Sequence, residues 1–143
     1  MKRTLFALAC GALALSAAAS AAVAMEPYGV WKIGKGKVTI KIIECDGGLC
    51  ANIVGLSEPT RNGKPKVDRH NKNAALRDRP LMGLQIASNL KPSGDGRWEG
   101  TVYNPDDGYT YIAKVSAIDE NIMKLKGCVL GGLICDSSKL YRQ

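Results

Sequence analysis

From Val38 onward the chain repeats one pattern: apolar residues at every second position, broken at short intervals by turns rich in glycine and aspartate. Val38, Ile40 and Ile42 alternate with Thr39 and Lys41, the period of a strand with one buried face. Leu84, Ile86 and Ser88 alternate with Gln85 and Ala87, and Trp98 shares a face with Val102. Asn104-Pro105-Asp106-Asp107-Gly108 is a turn leading into Tyr109-Thr110-Tyr111. Met123, Leu125, Gly127 and Val129 alternate with Lys124, Lys126 and Cys128. A last strand runs from Ile134 to Tyr141, with Asp136-Ser137-Ser138 expected as a bulge, and a short one lies around Gly29–Ile33. Nothing argues for a long helix. About eight short antiparallel strands in chain order predict an all-β, up-and-down barrel, with a two-sheet sandwich as the alternative. Barrel closure also removes the free sheet edges that favour aggregation.

Cysteines add a frame. Besides Cys10, the chain has Cys45, Cys50, Cys128 and Cys135. Four cysteines allow three pairings, which sequence alone does not choose among. Local geometry favours Cys45–Cys50 and Cys128–Cys135, because Gly47-Gly48 and Gly131-Gly132 supply the positive φ of tight hairpin turns. Counted from such turns, each cysteine falls opposite its partner. The first pair then occupies a close, non-hydrogen-bonded site and the second a hydrogen-bonded one, which a longer turn or a bulge would correct. A four-thiolate zinc site is the rival reading; zinc knuckles space their cysteines more tightly, and exported thiols oxidise.

Export itself is read at the N-terminus. Lys2 and Arg3, an apolar run from Leu5 to Leu15, and Ala22-Val23-Ala24 form the three zones of a signal peptide, cleaved after Ala24. The run is short for a membrane anchor of about 20 residues, and Ala7 stands where a lipoprotein signal ending at Cys10 favours a large aliphatic. Residues 25–143 then form one domain of 119 residues, placed in the periplasm or outside the cell. No second apolar segment is long enough to span a bilayer.

Charge is concentrated in one place. Between Arg61 and Arg79, seven basic residues (Arg61, Lys64, Lys66, Arg69, Lys72, Arg77, Arg79) face only Asp68 and Asp78. They lie within Ser57–Pro80, about 24 residues without strand periodicity and long for a connection in a compact domain. This loop is expected to carry one helical turn at Ala74–Leu76, capped by Asn71, with Leu76 plugging the barrel mouth. Asp68 and Asn71 are read as loop-structural. Lys66, Arg69, Arg77 and Arg79 are the candidate ligand contacts, since the arginine fork suits a carboxylate or phosphate. Nucleic acid is a poor partner, because no aromatics interleave with the cations. A small lipid-like molecule or an anionic envelope surface fits better.

Several motifs carry the reading further. Gly29-x-Trp31, Asp68-x-x-Asn71, Leu76-Arg-x-Arg-Pro-Leu-x-Gly83, Trp98-x-Gly100, Tyr103-Asn-Pro-x-x-Gly-x-Thr-Tyr111 and Leu125-Lys-Gly-Cys-Val-Leu-Gly-Gly132 occur in this order, with Cys45–Cys50 between the first two. Together they resemble the bacterial envelope family known as domain of unknown function family 2147, over nearly all of residues 25–143. The resemblance implies a lipocalin-like barrel and no settled activity. Barrels of this type pack a late arginine on the tryptophan of an early Gly-x-Trp, which implies a closure contact of Arg142 with Trp31. Here Lys139-Leu-Tyr-Arg142 stands where many relatives have Thr-Trp-Thr-Arg, so that closure differs in detail.

No catalytic constellation emerges. His70 is the single histidine, with no nucleophile beside it in sequence, and Asp106 and Asp107 are turn residues whose carboxylates diverge. Neither a metal motif nor a cofactor motif is present. The expectation is a binding protein, not an enzyme, with no cofactor and no metal. It takes a small apolar or amphiphilic ligand, with an anionic one among the candidates; the alternative is an envelope interaction, inhibitor or stress-response protein with a filled barrel and working outer loops. Fold analogy is a weak warrant for either.

Overall fold

The computed structural model describes residues 25–143; the segment read as an export signal, with Cys10, lies outside them. Ten strands form: β1 (Gly29–Ile33), β2 (Val38–Cys45), β3 (Gly48–Leu56), β4 (Thr60–Arg61), β5 (Lys64–Pro65), β6 (Gln85–Gly94), β7 (Arg97–Asn104), β8 (Tyr109–Asp119), β9 (Ile122–Val129) and β10 (Ile134–Arg142). Eight of them close into an antiparallel barrel in the order β1-β10-β9-β8-β7-β6-β3-β2, while β4 and β5 pair as a separate small hairpin. The up-and-down barrel is as expected. Two 3₁₀ turns, Ala74–Leu76 and Leu130–Gly132, are the helical elements among the described residues. No helix there is long and apolar enough to cross a membrane.

Barrel closure rests on β1, which is hydrogen-bonded to β2 on one side and to β10 on the other. Trp31 is fully buried there and donates its indole N–H to the Pro27 carbonyl at 2.9 Å. The Arg142 guanidinium lies 4.2 Å from the centre of that ring, within cation–π range. Its nitrogens also donate to the carbonyls of Glu26, Tyr28 and Glu120. One planar fork therefore ties the segment before β1 and the β8–β9 turn to the end of β10.

Both disulfides form, Cys45–Cys50 and Cys128–Cys135, which removes the thiolates that the zinc alternative needs. The first hairpin differs from the expected register. Its turn is Asp46-Gly47, with φ of +47° and +71°, so Cys45 stands opposite Gly48 and Cys50 opposite Ile43. Asp-Gly fills the positive-φ positions of this turn as readily as Gly-Gly. The disulfide runs diagonally, at a Cα–Cα distance of 5.7 Å. The shift is two residues, which keeps the side chains near the turn on their expected faces but changes their partners: Ile40 and Ile42 pair with Ile53 and Ala51, and a bulge between Thr39 and Ile40 then sets Gly55 opposite Thr39. Gly48 is needed for space, since a Cβ there would meet the Leu90 carbonyl oxygen at 2.7 Å. In the second hairpin Cys128 does stand opposite Cys135, beyond a four-residue connection, at a close Cα–Cα distance of 4.1 Å.

Two alternation readings are corrected. In β6 the register shifts between Ala87 and Lys91, where Asn89 has φ +77°; Ala87 turns into the core and Ser88 is exposed. A bulge puts neighbouring residues on one face, which simple alternation cannot anticipate. Asp136-Ser137-Ser138, expected as a bulge, pairs in unbroken register with Gly127, Lys126 and Leu125. Asp136 and Ser138 line a cavity that opens to water, so their polarity needs no bulge to turn it outward.

Candidate ligand-binding site

The two ends of the barrel are built differently. Trp31, Leu49, Leu90, Trp98, Val115, Met123 and Leu140 fill the half near Arg142. At the other end the core stops short, leaving a cavity of about 420 Å³. Its wall is apolar, formed by Ile33, Val38, Ile53, Leu56, Ile86 and Val102, with Leu81 and Leu125. Its rim is polar: Tyr103, Asn104, Asp106, Asp107, Tyr111, Asp136 and Ser138. A cavity of this size with a few converging polar groups is typical of a small-ligand site.

The segment between β3 and β6 folds over that rim. It contains the β4–β5 hairpin, turned at Asn62-Gly63 with φ of +50° and +75°. This Asn-Gly pair is a hairpin signal that alternation alone passes over. Further on, Val67 bridges to Pro80, and Leu81 N–H bonds the Lys66 carbonyl. Leu76 does not plug the mouth; it is exposed, and Leu81 lines the cavity instead. The cap of the 3₁₀ turn is Asn73, which accepts from Ala75 N–H, in place of Asn71. Asn71 is instead buried in the loop's anchor.

That anchor centres on Asp68, fully buried. Its carboxylate accepts from the Tyr103 hydroxyl at 2.6 Å, from Asn71 Nδ2 at 2.8 Å, and from Arg79 Nε and Nη2, each at 2.8 Å. Asn71 Nδ2 also reaches the Tyr103 oxygen, and its Oδ1 accepts from Asn73 N–H. Burying a charge is costly unless it is paired and hydrogen-bonded, and here both oxygens are satisfied. Tyr103 belongs to β7, so the network joins the loop to the barrel wall. A second joint is Gly108, with φ +75°, where any side chain would collide with the His70 carbonyl.

The four candidate cations do not act as one set. Arg79 is held by Asp68, and Arg77 donates to the Asn71 carbonyl; neither lines the 420 Å³ cavity or the groove beside it. Lys66 and Arg69 do line that groove, of about 950 Å³ beside the mouth, together with Arg61, Lys64 and His70. Arg69 Nε donates to His70 Nε2 at 2.9 Å, and Lys66 reaches Glu58 at 3.4 Å across an exposed pair of little strength. Arg61 and Lys64 are groove residues that the sequence reading counted but did not single out; the Asn62-Gly63 turn between them is the signal that would have. Leu81, Pro105 and Asp106 line both the cavity and the groove. Asp107 is occupied within its turn, accepting from Asn104 Nδ2, Tyr109 N–H and the Tyr111 hydroxyl.

Two rim phenols are tuned by these contacts. Burial, then the bond to Asp68, raises the pKa of Tyr103; the bond to Asp107, then burial, raises that of Tyr111. Both hydroxyls donate to carboxylates, which favours the neutral phenol. Their contribution to stability is therefore complete below pH about 10, the ordinary tyrosine value, and is lost as pH rises through the raised values. An absorbance titration of the phenolates is expected to show two late-ionising groups among the five tyrosines. Tyr103→Phe and Tyr111→Phe should each remove one of them; a single transition at the ordinary value would contradict the geometry.

An eight-stranded up-and-down barrel, packed at one end and open to an apolar cavity at the other, is a lipocalin-like barrel. The chain belongs to the family described as "Uncharacterized protein conserved in bacteria (DUF2147)", whose profile matches residues 29–142. Among solved structures it is similar to the Helicobacter pylori protein HP1028, described as belonging to the lipocalin family. The identity is 22%, over 83% of this chain and 84% of that one, with a TM-score of 0.72. At that identity the likeness is one of fold. No curated protein matches the chain.

Proposed function

We propose that this protein is a periplasmic carrier of a small anionic amphiphile and not an enzyme. The observation that carries the reading is the junction at Leu81, Pro105 and Asp106, residues that line both the apolar cavity and the basic groove. An apolar tail occupies the 420 Å³ cavity, and an acidic head lies past Asp106, against Lys66 and Arg69 with Arg61 and Lys64 beyond. Asp106 repels an anion held at the junction itself, so the head belongs further out in the groove. Two disulfides favour an oxidising compartment, in keeping with the export signal read in residues 1–24. The same cations offer contact with an anionic envelope surface. The unfilled half of the barrel supports the carrier over the filled-barrel alternative.

A dansylated fatty acid and its uncharged methyl ester test the two parts separately. Val102→Trp fills the cavity and is expected to weaken both probes at least about tenfold, a loss of about 1.4 kcal/mol. Lys66→Glu with Arg69→Glu is expected to weaken only the acid, by a similar factor, and less so in high salt. Unchanged binding of both probes to Val102→Trp would exclude the cavity as the site.

A further inference from the structure

The open end has a second property that does not depend on what fills the cavity. Four connections stand at this end: residues 34–37, 57–84, 105–108 and 130–133. They carry nine Lys and Arg against five Asp and Glu. The three turns at the opposite end, residues 46–47, 95–96 and 120–121, carry Asp46, Asp95 and Glu120 and no basic residue. The barrel is thus polarised along its axis, positive at the mouth.

At the mouth also stands the most exposed apolar cluster among the described residues. Leu130, Leu133 and Ile134 are 69%, 85% and 59% exposed. They cap the β9–β10 hairpin, which outruns its neighbour: the β1–β10 ladder ends at Ile33 and Leu140, leaving Ile134–Ser138 beyond it. Just behind the tip the Cys128–Cys135 disulfide joins the two strands. Aliphatic side chains held out into solvent on a stapled hairpin need a partner to cover them.

We propose that the open end docks on an anionic lipid bilayer. Leu130, Leu133 and Ile134 enter the boundary between headgroups and acyl chains, while the exposed Lys35, Lys37, Arg61 and Lys64 meet the lipid phosphates. A bilayer fits better than a protein for two reasons. A three-residue tip falls far short of the roughly 800 Å² per partner of a stable protein interface. It also lacks the Trp, Tyr and Arg anchors that concentrate binding energy in such interfaces. A bilayer needs neither shape complementarity nor a fixed partner geometry, only apolar depth and a matching sign of charge. The cavity mouth would then face the membrane.

Flotation of the purified protein with vesicles of phosphatidylcholine, with and without phosphatidylglycerol, tests this. Binding is expected only with phosphatidylglycerol, and is expected to fall in high salt. Leu130→Ser with Leu133→Ser, both exposed positions, should weaken it at least about tenfold while leaving the soluble dansyl probe bound as before. Leu133→Trp should place a fluorophore that brominated acyl chains quench. Val102→Trp should dock as well as the unaltered protein, which separates bilayer docking from capture of a single lipid in the cavity. Failure to float with anionic vesicles, equal binding by the Leu130/Leu133 double variant, or loss of docking in Val102→Trp would each overturn the proposal.

Discussion

Asp68→Ala is expected to cost about 2–4 kcal/mol of stability and to free the 57–84 segment from the barrel wall. The carboxylate is fully buried and accepts from three side chains, so its removal leaves Tyr103, Asn71 and Arg79 without their common acceptor. The loss stays below that of a wholly buried ion pair, because the Arg79 side chain is 35% exposed and can turn to water. Asp68→Asn separates shape from charge: it still accepts from Tyr103 but sets an amide donor against the guanidinium. An intermediate loss is expected. Urea unfolding measures the global effect, and hydrogen exchange across residues 57–84 measures the local one. Stability within about 0.5 kcal/mol of the parent, the range of an ordinary surface substitution, would show that the loop is held elsewhere. The functional consequence follows from Leu81 and Lys66, which this segment delivers to the cavity and to the groove. A freed loop should therefore weaken the acid probe even though Asp68, Asn71 and Arg79 line neither the cavity nor the groove.

Trp31→Ala is expected to cost about 3–5 kcal/mol, the range for truncating a large buried aromatic. Against a total stability of about 5–15 kcal/mol, that is a large fraction. The loss is felt at closure, because β1 alone joins β2 to β10. Hydrogen-exchange protection should fall first in Gly29–Ile33 and in its β10 partners Leu140–Arg142. Arg142→Lys keeps the charge but loses the planar fork that serves three carbonyls, so a loss of about 1–2 kcal/mol is expected. If Trp31→Ala lowered protection evenly across all strands, the closure account would fail. The cavity lies at the other end, so whatever fraction stays folded should bind the amphiphile probes normally.

Alternation, turn residues and cysteine spacing made much of this protein legible without coordinates, because each reports on neighbours within a few residues. Val38–Ile42 and Met123–Val129 announce their buried faces through a period of two. Cys128 and Cys135 are brought together by one local hairpin. The face of the first hairpin was legible too, although its register was not, since a slip of two residues leaves the period unchanged. Three features depended on the closed barrel. The β6 bulge turns Ala87 inward, in a strand where sequence shows only alternation. Tyr103 meets Asp68 across 35 residues, and no local signal links the two. The basic residues looked like one anion site because sequence counts charges; tertiary structure sorted them by partner, giving Arg79 to a buried carboxylate and Arg77 to a carbonyl while leaving Arg61, Lys64, Lys66 and Arg69 along the groove. Local periodicity sets the faces of strands. Only closure of the barrel decides which inward positions are packed and which, like Asp136 and Ser138, line an opening to water.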